Sequence, residues 1–274
     1  MGQLFDDVFE KSGIYNTLFF NVKPVLKYRT VEILEKENPS LYERWKYLSK
    51  SKYKFDLDVI HAVAGPMTDE TSEHGEKIYQ EHAPYYAEFT KVIAITYAKV
   101  YVENGTLKRN LKKIANEDEF VVLSTFIDEL HRVSRDGAHS TPQFFETLCG
   151  HNIISHDIPV LMKKFVEYRE KFEDNKQIPL ILKKTLSAKP WESGVIDTSE
   201  VWKFNGYERT PLMLIADYLG LKKSVDLNSL DEVSRKYWEL MEDNKPDEAL
   251  EYVSLQSATQ TNLVIQLVNE LRQL

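Results

Sequence analysis

Leu148 to Leu161 reads LCGHNIISHDIPVL. Leu148 to Ile153 is a short apolar run bounded by polar residues, the pattern of a buried strand. Asp157 then opens a helix expected to run to Phe172, with Pro159 in the first turn, where a missing N–H costs nothing. Upstream, Lys91 to Val102 (KVIAITYAKVYV) is a long β-rich run ending in Glu103-Asn104-Gly105. Asn-Gly after such a run is the strongest short hairpin signal, so Leu107 to Ile114 is expected to return antiparallel. Thr17 to Val22 (TLFFNV) is a further strand, expected to end at Pro24 because proline cannot donate to a ladder.

Between these strands, residues 26 to 60 read as one or two helices, and His61 to Glu76, with Gly65-Pro66, as an irregular stretch. Glu117 to Val133 carries Phe120, Leu123, Phe126, Ile127 and Leu130 at helical spacing, and Arg135 to Thr141 is a polar loop. Downstream, Val195 to Thr198 is a short strand, and Leu212 to Leu219 a helix closed by Gly220. Leu230 to Met241 and Pro246 to Leu271 are two more helices, the last apolar through Leu250, Val253, Ala258, Leu263, Leu267 and Leu271. An early hairpin followed by alternating helices and strands specifies an α/β fold with a mixed sheet.

Composition narrows the function classes. Lys and Arg number 35 against 43 Asp and Glu, a formal charge of −8, which argues against a broad basic surface for nucleic acid but leaves room for a local groove. The apolar share of 42% and charged share of 28% are those of an ordinary globular protein. Ten glycines are few for a glycine-rich nucleotide fold. The single cysteine, Cys149, can form no internal disulfide and supplies no cysteine-based zinc site, which points to a reducing compartment. The opening MGQLFDDVFEK has acids where a secretory signal carries cations, and no apolar run approaches a membrane span. The expectation is a cytoplasmic protein with no membrane partner.

Gly150, His151 and Asn152, followed by Asp157, Ile158 and Pro159, resemble the second motif of the 3′–5′ exonucleases related to the proofreading domain of family B DNA polymerases. Ser155 and His156 stand where that family has Gly and Phe. Val195-Ile196-Asp197-Thr198 with Trp202-Lys203-Phe204, then Leu219-Gly220, Val233 to Glu239 (VSRKYWE) and Glu251-Tyr252, are similar to later family segments in the same order. The resemblance covers most of residues 14 to 271. It implies a ribonuclease H-like mixed sheet flanked by helices, in a single domain over 1–274 with a helical insertion at about 26–88.

The resemblance also implies a chemistry: phosphodiester hydrolysis by two divalent metals on four carboxylates, with a tyrosine orienting the attacking water. Hard cations need anionic oxygens to replace their water shells. The family's first motif, Asp-x-Glu, falls here on Asn21 and Lys23; the second-motif carboxylate is Asp157; the third, Tyr-x-x-x-Asp, falls on Tyr252 and Gln256. Four carboxylates supply about −4 against +4 from two Mg²⁺, whereas Asn21, Lys23, Asp157 and Gln256 sum to zero. A lysine ammonium repels a metal outright. The expectation is a pseudo-exonuclease with no intact catalytic set and no cofactor, Mg²⁺ or Mn²⁺ returning only if the site is rebuilt, Asp197 and Glu200 being the acids best able to join Asp157. His151 fits the family's own pattern and His156 an apolar position, so no zinc site is read from them.

Lys23 is expected to pair with Asp157, the alternative being that it holds a nucleic-acid phosphate. Candidate nucleic-acid contacts are Lys23, His151, Asn152, Lys46, Lys50 and Lys52, with Lys54 and Lys108 to Lys113 nearby in composition. Tyr42, Trp45, Tyr47 and Tyr53 interleave with the first lysine cluster as a single-strand stacking platform would require, although a solvated helix face with its aromatics in the core fits the pattern better. Three functions follow: an inactive exonuclease homologue binding single-stranded DNA or a 3′ end; a protein-interaction or structural subunit of a replication or virus-related assembly; and a residual metal-dependent 3′–5′ exonuclease.

Overall fold

The computed structural model describes residues 14–55, 69–103, 106–135, 147–172, 182–183, 185 and 194–273. Its sheet has five strands: β1 (Thr17–Leu26), β2 (Thr90–Glu103), β3 (Thr106–Ala115), β4 (Thr147–Gly150) and β5 (Val195–Asp197), in the order β3-β2-β1-β4-β5. β2 and β3 pair antiparallel from Ala94↔Ala115 to Glu103↔Thr106, as the hairpin signal requires; Asn104-Gly105 lies outside the described residues. β4 runs parallel to β1 and to β5, through Phe19↔Cys149 and Cys149↔Ile196. This is an α/β fold with a mixed sheet.

The helices are α1 (Val31–Glu37), α2 (Pro39–Lys52), α3 (Asp69–His82), α4 (Glu119–Arg135), α5 (Asp157–Glu167), α6 (Thr198–Val201), α7 (Leu212–Leu219), α8 (Leu230–Glu242) and α9 (Pro246–Leu271). Their ends obey local rules. Asn38 caps α2 by accepting from the Leu41 N–H ahead of Pro39, and Ser229 with Glu232 forms a capping box on α8. Gly220 closes α7 in the left-handed conformation at φ 65°. Among the described residues, no helix is long and apolar enough to cross a membrane.

The chain divides into two compact units. One comprises Met1–Lys23, Val92–Asn228 and Asp247–Leu274; the other, Pro24–Lys91 and Ser229–Pro246. The first has a core in which Phe19, Cys149, Ile196 and Ile215 meet Leu263, Val264, Leu267 and Leu271 of α9. The second has its own core of Leu26, Leu34, Tyr42, Trp45, Tyr79 and Phe89, with Trp45 edge-on to both Tyr79 and Phe89 at 5.3 Å. The stretch around 26–88 thus carries a hydrophobic core of its own, joined by Ser229–Pro246, a segment that no local pattern linked to it.

Four expectations need correction. β1 does not stop at Pro24 but continues to Leu26. β4 pairs only with Thr17 to Phe19, so further along that flank no ladder needs a donor. The Val22 N–H goes to Asp157 and the Leu26 N–H to Ser234 Oγ, and proline occupies the alternate position between them, where an N–H would need its own acceptor. Asp69 to Glu76 is helical, because Ile78 and Tyr79 at the end of α3 are buried and hold the whole helix down, while residues 61–68 and 136–141 lie outside the described residues. β4 ends at Gly150 rather than Ile153, and α5 ends at Glu167 rather than Phe172.

Candidate functional site

Gly150 ends β4 where a side chain has no room: a Cβ there would lie 2.1 Å from Ile153 Cγ2 and 2.9 Å from the Phe20 carbonyl oxygen. Asn152 then takes the left-handed conformation at φ 63°, which asparagine tolerates better than most residues. The Gly-His-Asn sequence is therefore the local code for a tight turn after β4. That turn delivers Asp157 to the start of α5, 2% exposed.

Three N–H donors of the chain itself fill the Asp157 carboxylate. Asn21 Nδ2 and the Val22 backbone N–H donate to Oδ2 at 3.0 and 3.1 Å. His156 Nδ1 lies 2.7 Å from Oδ1 and donates to it, which fixes the proton on that nitrogen. Two polar atoms beside the carboxylate, Asn21 Oδ1 and His156 Nε2, are buried without a hydrogen-bond partner.

Lys23, 5% exposed, does not make the direct pair expected with Asp157; its ammonium donates to Gln260 Oε1 at 2.7 Å. Burial lowers its pKa to about 8, with the nearby Asp157 charge opposing that fall. Gln260 was not singled out from the sequence. The signal was present, since Tyr252, Gln256 and Gln260 recur every four residues along α9.

Gln256 and Tyr252 meet each other's partners on a different segment. Gln256 Nε2 donates to the Asp226 carbonyl at 3.0 Å, and its Oε1 accepts from the Asn228 N–H at 2.9 Å. Asn228 Nδ2 donates to the Tyr252 hydroxyl at 2.8 Å. Both side chains thus tie the segment after α7 to α9. The structure groups Asn21, Lys23, Asp157, His156 and Gln260 by direct bonds or charge, and Tyr252 with Gln256 through Asn228.

Asp197 is fully employed elsewhere. It accepts from the backbone N–H groups of Asn152, Ile154 and Ser199 and from Ser199 Oγ, at 2.7 to 3.1 Å, and so clamps the β4–α5 turn to β5. Glu200 pairs with Lys203 and Arg209, whose hydrogen bonds and charges hold its carboxyl below the usual range. His151 is buried with Nδ1 3.0 Å from Thr198 Oγ1, and burial lowers its pKa against the charges of Asp197 and Asp157. Neither acid is free to complete a centre with Asp157. As arranged, these side chains do not fit a pair of divalent cations: one carboxylate is saturated by N–H donors and a buried ammonium stands near it. Among the described residues, no group of three or more His, Cys, Asp or Glu is placed to hold a metal.

The lysines of α2 lie in the second unit. Lys46 pairs with Glu43 at 3.1 Å and lies over the Tyr42 ring, and Lys52 donates to the Tyr86 hydroxyl at 2.8 Å. Lys50 is exposed. Of the interleaved aromatics, Tyr42 and Trp45 belong to the core, Tyr53 stacks on His82 at 4.0 Å, and Tyr47 stands 70% exposed. On β3, Lys112 pairs with Glu129 and Lys113 with Glu251. Comparison with protein-family models, with curated proteins and with solved structures finds no match for this chain.

Proposed function

We propose that the chain is a catalytically inactive homologue of the 3′–5′ DNA exonucleases that holds a single strand or a 3′ end without cutting it. The strand order β3-β2-β1-β4-β5, with a hairpin on one side of β1 and parallel strands on the other, supports a ribonuclease H-like core. One observation carries the loss of catalysis: the Asp157 carboxylate is saturated by Asn21, Val22 and His156, with the Lys23 ammonium buried close enough to feel its charge. Metals would have to displace three hydrogen bonds and coexist with a cation. The affinity for DNA is assigned to local cations, since the chain as a whole is acidic.

Incubation with Mg²⁺ or Mn²⁺ and a 5′-labelled single strand tests the first half, and fluorescence anisotropy with the same strand at low salt tests the second. The expected result is an oligonucleotide of unchanged length and saturable binding that weakens as salt rises. Shortening that disappears in Asp157→Ala overturns the inactive reading. Absence of saturable binding up to high micromolar protein overturns the DNA-binding one.

A further inference from the structure

Three polar groups meet at the C-terminal end of α2, all within the second unit. Lys52 is the last residue of α2, Tyr53 caps it, and Tyr86 lies between the two short turns that follow α3. The two phenol oxygens stand 2.9 Å apart, and the Lys52 ammonium donates to the Tyr86 oxygen at 2.8 Å. The rings behind these oxygens are fixed by packing. Tyr53 lies parallel to His82 at 4.0 Å and 6.1 Å from Trp45, while Tyr86 is edge-on to Phe89 at 6.2 Å. Trp45 and Phe89 belong to the core of that unit. Lys52 is exposed and both tyrosines are half-buried, so the cluster sits at the rim of the core rather than inside it.

A phenol has one proton to give and two lone pairs to receive. An ammonium can only donate, so Tyr86 accepts from Lys52, and the Tyr53 hydroxyl can supply a second donor to the same oxygen. Loss of the Tyr86 proton strengthens both bonds, because each then ends on an anion. Burial raises the Tyr86 pKa, but the bonds from Lys52 and Tyr53 and the Lys52 charge outweigh burial and the opposing Glu88 charge, and hold it below the ordinary tyrosine value. Burial, with the bond and charge of Tyr86, pushes that of Tyr53 up, so the pair loses its first proton from Tyr86. A phenol oxygen served by two donors at the rim of a core has the arrangement of an activated oxygen nucleophile. We infer that Tyr86 is a nucleophilic tyrosine that accepts an acyl group from an activated acyl donor. In that step Tyr86 Oη attacks the acyl carbon; the new O–C bond forms as the bond to the leaving group breaks, and the leaving group departs with that electron pair and takes the Tyr86 proton. The Lys52 ammonium beside the attacking oxygen favours the negative charge that grows on the acyl oxygen. This reactivity does not depend on binding of nucleic acid.

The test treats the full chain with N-acetylimidazole at neutral pH, imidazole being the leaving group, and follows the acetylated positions over time by peptide mass spectrometry. Hydroxylamine removes acetyl groups from phenols but not from lysines, which separates Tyr86 from Lys52. Exposure alone would favour Tyr207 and Tyr47, 100% and 70% exposed. The expected result is Tyr86 acetylated ahead of both, an order read in the parent without any variant. Lys52→Met and Tyr53→Phe each remove one donor and leave the packed rings in place, so each should melt as the parent does. Each should slow acetylation of Tyr86 about tenfold while Tyr47 and Tyr207 keep their parental rates. Acetylation of Tyr207 and Tyr47 ahead of Tyr86 in the parent overturns the inference, since reactivity then follows exposure. So does a parental rate at Tyr86 in both variants, which would reduce the cluster to a structural contact. A hydroxylamine-resistant acetyl group on Lys52 with none on Tyr86 overturns it as well.

Discussion

Two buried carboxylates, Asp157 at 2% and Asp197 at 3% exposure, are held in opposite ways. Asp197 receives three backbone N–H groups and a hydroxyl, all from segments whose path it determines. Asp157 receives one backbone N–H, and the rest of its shell is side chain: an asparagine amide and a histidine ring, each leaving another polar atom buried and unpartnered. A carboxylate that builds a turn is surrounded by fixed donors. The Asp157 carboxylate depends instead on side chains that reach it. Asp197 is therefore a device of the fold, whereas Asp157 is held mainly by side chains from β1 and from its own flank.

The same substitution at both positions is the sharpest way to break that comparison. Asp197→Asn places an NH₂ group against the fixed Ile154 N–H and weakens three further bonds, and should cost about 4 kcal/mol by chemical denaturation. If Asp197→Asn costs under 1 kcal/mol, the distinction fails. Lys23 gives the next largest effect, read through pH. Its folded pKa of about 8 lies below the 10.5 of the unfolded chain, so the unfolded state binds more protons between those values. Stability relative to a Lys23→Met variant should therefore rise with pH from about 8 to about 10.5, by about 3 kcal/mol in all. A difference that stays flat across that window would show that the amine is not buried as an ammonium.

Asp157→Asn should have the smallest effect, about 1 kcal/mol. The new amide keeps an oxygen for Asn21 and Val22, and the His156 ring can move its proton to Nε2 and accept through Nδ1. A loss as large as that at Asp197 would mean that Asp157 is a turn builder as well.

Much of the frame was legible because its signals are local. The Asn104-Gly105 dipeptide after a β-branched run located the hairpin, Gly220 located the end of α7, and the spacing from Pro246 to Leu271 located α9 to the residue. Pro24 misled because its tolerance depends on which flank of β1 lacks a ladder, a fact held in the short register of β4. That Asn21, Lys23 and Gln256 are not acids is read directly from the sequence, but their partners are not. The acceptor of the Lys23 ammonium lies 237 residues away, and an exposed-looking glutamine on α9 gives no sign that it is one. The aromatic residues of α2 divide as the favoured sequence reading has it for Tyr42 and Trp45, which lie in the core, while their spacing gave no sign that Tyr47 alone faces solvent.

The charge of the Asp157 pocket is the point on which the account turns, and Mn²⁺ is its most direct probe. Electron paramagnetic resonance and thermal melting, recorded as Mn²⁺ is added to the parent and to the triple variant Asn21→Asp/Lys23→Glu/Gln256→Asp, measure occupancy and its coupling to the fold. The account predicts a parent that takes up no stoichiometric Mn²⁺ and melts at the same temperature throughout, with a variant that melts lower when metal-free and regains stability as the ion binds. Two Mn²⁺ bound per parent chain, with the exchange-coupled signal of neighbouring ions and a rising melting temperature, would contradict it.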